Sequence, residues 1–152
     1  MPKRKGFFQG KYTPENPGKC INRSIPIYRS SWEKRFMIFL DKNEYVLRWG
    51  SEVIEIPYQY SIDHRVHKYI VDMYCEIRDN TGKIKKYLFE IKPKDGLYKP
   101  KPPKRKTKKS LHTYNYKMAT FIRNKDKWRS AIQYCNGKGW EFRILTEKDL
   151  LI

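Results

Sequence analysis

The chain has 152 residues, 34 of them Lys or Arg and 16 Asp or Glu, for a formal net charge of +18. With 39% apolar and 15% aromatic residues it is no disordered basic tail, and it is long enough to bury the core of one domain. So strong a positive field selects polyanions; with no run of 18 apolar residues and no signal-peptide pattern, nucleic acid is favoured over a membrane.

Residues 1–20, rich in Lys, Gly and Pro, read as a mobile basic arm, and residues 21–152 as a single domain. Cys20, Cys75 and Cys135 are odd in number, widely spaced and without a Cys-x-x-Cys, which predicts reduced thiols in a cytoplasm and argues against a zinc site. Ser30-Ser31-Trp32-Glu33 has the spacing of a capping box, so a helix starts there with Trp32, Phe36, Phe39 and Leu40 facing the core. Tyr45–Trp49 and Val53–Pro57 predict one long strand interrupted at Gly50. His67–Ile77 and Ile84–Lys92 form a hairpin around Asp79-Asn80-Thr81-Gly82-Lys83, a turn that suits Gly82 in the left-handed region.

Residues 93–110 differ in composition. Lys94, Lys99, Lys101, Lys104, Arg105, Lys106, Lys108 and Lys109 supply eight charges, and Pro93, Pro100, Pro102 and Pro103 disfavour both helix and paired strand. This segment is expected to be an extended basic loop that clamps DNA. Helical pattern resumes near Leu111 and runs to about Cys135, with a break expected around Asn124. Its buried stripe is Trp128, Ala131, Ile132 and Cys135, and Gly137 and Gly139 end it. Trp140, Phe142 and Ile144 alternate as a last strand, followed by a turn at Thr146-Glu147-Lys148-Asp149. The order is helix, three strands, helix, strand, a mixed α/β fold.

The chemistry gathers on the hairpin. Glu90 and Lys92 point to one face of their strand while Phe89 and Ile91 point to the other. If residue 79 pairs with 83, Asp72 falls opposite Glu90, with Cβ atoms roughly 5 Å apart and on the same face as Ile70 and Leu88. A one-residue slip would send Asp72 to the other side of the sheet. Asp72, Glu90 and the backbone carbonyl of Ile91 offer hard oxygens to Mg2+, with Mn2+ as a substitute, while Lys92 can orient or deprotonate a water and counter phosphoryl charge. Glu33 has two readings, the N3 residue of a capping box or a further metal ligand. Arg29 and Tyr28, just before the helix, are placed to touch a phosphate or to make a structural contact. His64, His67 and His112 read as surface residues.

Asp72 with Glu90-x-Lys92 in this element order resembles the PD-(D/E)xK nuclease superfamily. Tyr28-Arg29-Ser30-Ser31-Trp32-Glu33, Trp49-Gly50-Ser51-Glu52, Glu90-Ile91-Lys92-Pro93-Lys94, Asp126-Lys127-Trp128 and Phe142-Arg143-Ile144-Leu145-Thr146 resemble the head-completion nucleases of T-even-type tailed bacteriophages. The chain is similar, more loosely, to the TnsA-like endonucleases. The resemblance implies a restriction-endonuclease-like αβββαβ core with a mixed β-sheet flanked by helices. It implies metal-dependent DNA cleavage late in head assembly, before tails join filled heads, in the host cytoplasm or associated with the virion. DNA and head portal or neck proteins are then the partners, and Glu33 joins Asp72, Glu90 and Lys92 as catalytic. Val71 stands where the superfamily's name has Pro, a tolerated departure. The alternatives are a non-catalytic DNA-binding head–tail connector and a structure-selective nuclease for branched DNA.

Overall fold

Helix α1 (Ser31–Lys42) begins where the capping signal predicts, with Ser30 Oγ accepting the Glu33 N–H at 3.1 Å. Glu33 reaches back one residue beyond the cap, accepting the Arg29 N–H at 2.7 Å. Its buried stripe is Phe36, Met37 and Leu40. Phe39, expected in the core, is instead 50% exposed. It lies beside that stripe and stacks on Phe36, with ring centroids 6.1 Å apart.

The computed structural model describes residues 9–150. Strands β1 (Gly10–Lys11) and β2 (Ile27–Tyr28) pair with each other. The main sheet has four strands, β3 (Val46–Ser51), β6 (Met73–Arg78), β7 (Ile84–Ile91) and β8 (Glu141–Leu145), in that order. The first three are antiparallel, and β8 runs parallel to β7 after a crossover through α2 (Lys108–Lys138). Alternation along β6 and β7 sorts the core into two layers. Met73, Cys75, Phe89 and Ile91 pack under α1, while Tyr74 and Leu88 pack with Trp128, Ala131 and Cys135 of α2. The mixed sheet between helices is the α/β architecture expected.

The hairpin register is the one the turn predicts: Met73 faces Phe89 and Arg78 faces Ile84, with Gly82 at φ 82°. Two strand expectations need correction. Residues 45–57 do not form one interrupted strand, because β3 belongs to the main sheet while β4 (Glu55–Gln59) pairs with β5 (Val66–Ile70) in a separate two-stranded sheet. Residues 67–77 are likewise divided between β5 and β6. The cause is hydrogen bonding at the junction: the Val71 N–H goes to the Ile54 carbonyl, and the Asp72 carbonyl accepts the Glu52 N–H. Ile70, left on the far side of this break, is exposed rather than packed beside Leu88.

The mobile arm expected for residues 1–20 is also corrected. Residues 1–8 lie outside the described part, but residues 9–20 are packed onto α1. Fully buried Asp41 receives the Tyr12 hydroxyl at 2.6 Å and the backbone N–H groups of Glu15 and Asn16 at 2.8 and 3.1 Å. The Asp41 carbonyl accepts from Lys19 Nζ and Asn16 Nδ2. Burial alone would raise the Asp41 pKa, but these donors, with the Lys19 charge, hold it below the usual carboxylate range.

Helix α2 runs through Asn124 without a break, because that side chain turns inward and leaves the backbone ladder intact. It starts at Lys108 behind a Thr107–Ser110 capping box, so the basic loop ends at Thr107 and Lys108 and Lys109 occupy the first helical turn. Gly139 ends the helix at φ 72°. Ile132, expected in the buried stripe, is exposed. Among the described residues no helix is long and apolar enough to cross a membrane.

Asp41→Ala orphans one buried hydroxyl and two partly buried backbone donors. It should cost on the order of 3 kcal/mol, read as a lower urea midpoint at unchanged m-value. An unmoved midpoint would show that residues 9–20 do not unfold with the domain.

Candidate active site

The ladder between β6 and β7 stops at Met73, and a side chain takes over from the backbone at the next residue. Asp72 Oδ2 accepts the Ile91 N–H at 2.8 Å. This bond holds the carboxylate at the end of the strand that carries Glu90, the residue across from it in the continued register. Glu90 is buried, 5% exposed, on the α2 side of the sheet. Its Oε2 accepts the Tyr69 hydroxyl at 2.6 Å, and its Oε1 lies 3.6 Å from Lys92 Nζ. Tyr69 comes from β5, so the inserted β4–β5 hairpin supplies a support that the core strands lack.

Two carboxylates in so dry a place repel. The Asp72 pKa is pushed up to about 8, first by burial, then by the Glu90 charge, with Glu33 adding to it; the Ile91 N–H and Lys92 oppose the shift. Burial and the same Glu90 charge hold the Tyr69 hydroxyl far above its usual range, so it remains a donor.

The structure therefore brings Asp72, Glu90, Ile91 and Lys92 together. Glu33 and Arg29 sit at the margin. Burial raises the Glu33 pKa, the Arg29 N–H opposes this, and the charges of Glu52 and Glu90 add to it, so Glu33 feels the acidic pair. Its Oε2 is nevertheless engaged with the Arg29 N–H. The Arg29 guanidinium, expected either on a phosphate or in a structural contact, is paired with Glu52 at 2.8 Å. Glu52 adopts φ 55°, a strained value for a residue with a side chain, and its N–H binds the Asp72 carbonyl at 3.1 Å. The end of β3 is thus locked to the backbone of the proposed ligand.

Lys127, which sequence reasoning did not assign to the site, lies next to it. It is half-buried on α2, with its Nζ 5.4 Å from the centre of the Tyr69 ring. Burial lowers its pKa, while the Glu90 and Asp72 charges pull it back up. The signal was in the helical spacing: Asn124, Trp128 and Ala131 are buried, and Lys127 shares their face.

The basic residues divide by position. Lys94 lies in a short 3-10 turn (Lys94–Leu97) shortly after β7, where the Glu147 carboxylate accepts its backbone N–H at 2.8 Å. Lys99 and Lys101 follow along α2. Lys104, Arg105, Lys106, Lys108 and Lys109 gather at the start of that helix and do not join the acidic pair. Lys108 stands roughly 28 Å from Lys127 along the axis, about eight base pairs of duplex.

Among the described residues no three Asp, Glu, His or Cys side chains converge as a ready-made metal cage. His67 instead pairs with Asp63 at 2.7 Å. A buried and a partly buried carboxylate beside a strand-end carbonyl still fit a hard divalent ion of the magnesium type, which keeps several waters and needs only one or two carboxylates. Their unrelieved repulsion is what such a charge would offset.

Residues 43–147 match the family described as TnsA-like endonuclease N terminal. That match spans β3 to β8, including Asp72, Glu90 and Lys92, and begins after Glu33. The chain is also similar to the head completion nuclease of Enterobacteria phage T4, at 35% identity over 144 residues, covering 94% of this chain and 93% of that protein.

The raised Asp72 pKa has a consequence for stability. Between about pH 4 and pH 8 the native state holds a proton that the unfolded chain has released, so stability falls as pH rises through this window. In EDTA, the melting temperature should drop from pH 5 to pH 8.5. Asp72→Asn should flatten that dependence and melt higher than the unaltered protein at pH 8. A variant that melts lower at pH 8 would refute the buried repulsion.

Proposed function

The chain belongs to the TnsA-like endonuclease family and is a nuclease; from that premise we propose that it hydrolyses DNA phosphodiesters with magnesium, at Asp72, Glu90 and Lys92, during completion of a phage head. The observation that carries this is an acidic pair, Glu90 buried and Asp72 partly buried, held face to face in a molecule of net charge +18. A module that only bound DNA would gain nothing from carboxylates turned toward a polyanion.

Asp72, Glu90 and the Ile91 carbonyl are the groups that would hold the metal, with Glu33 able to join them by leaving its cap. When bound, the ion supplies charge stabilisation for the phosphoryl group and lowers the pKa of a coordinated water. The protein's own residues do the rest. The Ile91 N–H and the Tyr69 hydroxyl fix one oxygen of each carboxylate, and the second Glu90 oxygen faces Lys92. Lys92, whose Nζ is 3.6 Å from Glu90, orients the attacking water and offsets charge growing on phosphorus. Lys127, half-buried above Tyr69, adds a second cation against the same charge.

Lysines and arginines far from the acids hold the duplex through phosphates, so sequence preference is expected to be weak. The similarity to a head completion nuclease supports a role in processing the DNA of filled heads before tails attach. Contacts with portal or neck proteins follow from that role.

Linear DNA should be degraded with Mg2+ and left intact in EDTA, and Asp72→Ala, Glu90→Gln and Lys92→Ala should each lower the rate on the order of 10²-fold or more. Metal-independent binding without cleavage, unchanged by Asp72→Ala, would replace this reading with a connector. Glu33→Gln keeps a capping oxygen but loses the charge. A tenfold or greater rate loss at unchanged melting temperature, on the order of 1.4 kcal/mol in the barrier, would assign Glu33 to the chemistry. With about six phosphate contacts, DNA affinity should fall roughly 10³-fold between about 50 and 200 mM salt; a flat response would refute the electrostatic grip.

A further inference from the structure

Immediately beyond the catalytic strand, the segment after Lys92 doubles back along α2 and leaves an open cleft of about 620 Å³. Pro93, the residue next to Lys92, forms one end of it. Tyr98 and Tyr116 face it from the loop and from the helix, and both are conspicuously exposed, at 62% and 71%. Lys99 and Lys101 lie along its rim.

Asn124 lines the same cleft from the helix and is only 8% exposed. Its side-chain amide makes no hydrogen bond among the described residues and is not sealed from solvent, so it is open to a partner in the cleft. Asn124 is one helical turn from Lys127, which places the cleft beside the acidic pair and on the same side of the sheet.

We propose that this cleft receives an unpaired nucleotide of the DNA next to the scissile bond. The proposal rests on the nuclease reading and adds to it a substrate class: duplex DNA with a single-stranded end or flap. The features correspond to the parts of a nucleotide. Two exposed aromatic rings offer stacking faces, an unpartnered amide open to the cleft offers a donor and an acceptor to a base edge, and lysines on the rim meet the phosphates. A paired base could use none of the first two, since its faces and its hydrogen-bonding edge are already engaged. The size agrees, since pockets of this volume enclose ligands of about nucleotide size.

The test is binding of the full chain in EDTA, where nothing is cut. Fluorescence anisotropy would compare a blunt duplex with the same duplex bearing a single-stranded overhang of either polarity, with 2-aminopurine in the overhang reporting stacking. We expect about tenfold tighter binding of one overhang than of the blunt duplex, with quenched 2-aminopurine emission. The exposed pair Tyr98→Ala and Tyr116→Ala should abolish both signals while leaving blunt affinity unchanged. Asn124→Leu, checked for an unaltered melting temperature, should reduce the overhang preference alone. Equal affinity for blunt and overhanging duplexes, or an equal loss on both in the variants, would overturn the proposal. The two readings fail separately: an overhang preference in a protein that cuts no DNA with Mg2+ would refute the nuclease site and keep the cleft, whereas cleavage without any preference would refute only the cleft.

Discussion

One hydrogen bond organises the site, the one from the Ile91 N–H to the Asp72 carboxylate. At this point the long strand that enters from β5 leaves one sheet and joins another, and two backbone groups at the crossing turn to residues 52–54 instead of the ladder. The strand end would lose its last donor there. A carboxylate takes that donor, so the same side chain both closes the sheet and stands across from Glu90. The position of the acid is therefore as rigid as the sheet itself, and displacing it would expose an unpaired amide in a buried setting.

The inserted hairpin β4–β5 depends on that crossing and repays it. Because β5 bends away after Ile70, Tyr69 comes over β7 rather than beside β6, and its hydroxyl reaches Glu90. The same ring lies under Lys127, and Tyr58 of β4 receives Arg123 on its hydroxyl at 2.7 Å. Helix α2 is thus held to the site by tyrosines from an element outside the αβββαβ core. The acidic pair gains a donor on one side and a cation on another without a further acid or base from the core strands.

How much of this was legible follows from which forces act locally. The turn Asp79–Lys83 determines register by its own geometry, so the opposition of Asp72 and Glu90 could be derived before any fold was known. Ser30 begins α1 by the same local logic. The division of residues 45–57 and 67–77 between two sheets was not legible, because Val71 and Asp72 are diverted by partners some twenty residues away. Tyr12 and the segment to Cys20 looked like a solvated arm because their anchor, Asp41, is remote in sequence and polar. Phe39 and Ile132 were assigned to the core on helical spacing, yet both are about half exposed, beside rather than within the buried face of their helices. Lys127 was passed over for the opposite reason: a lysine in a basic chain reads as surface until the buried residues around it are counted as a face.

Glu33 shows how close the balance between structure and chemistry can be. As the N3 residue of α1 it satisfies the Arg29 N–H, an interaction of about 1 kcal/mol. It stands within the field of Glu52 and Glu90, both of which disfavour its charge. Without a cation the cap is the better place for it, because turning inward would add a negative charge to a pair whose repulsion already keeps Asp72 protonated up to about pH 8. With a divalent charge at Asp72 and Glu90 the sign of that field reverses, and the Coulomb gain in a poorly solvated site exceeds a single capping bond. The freed Arg29 N–H, at an exposed helix start, can be taken over by water. A residue that caps the empty enzyme and ligates the loaded one would couple metal binding to the start of α1, so that Glu33 senses the charge of the site it completes.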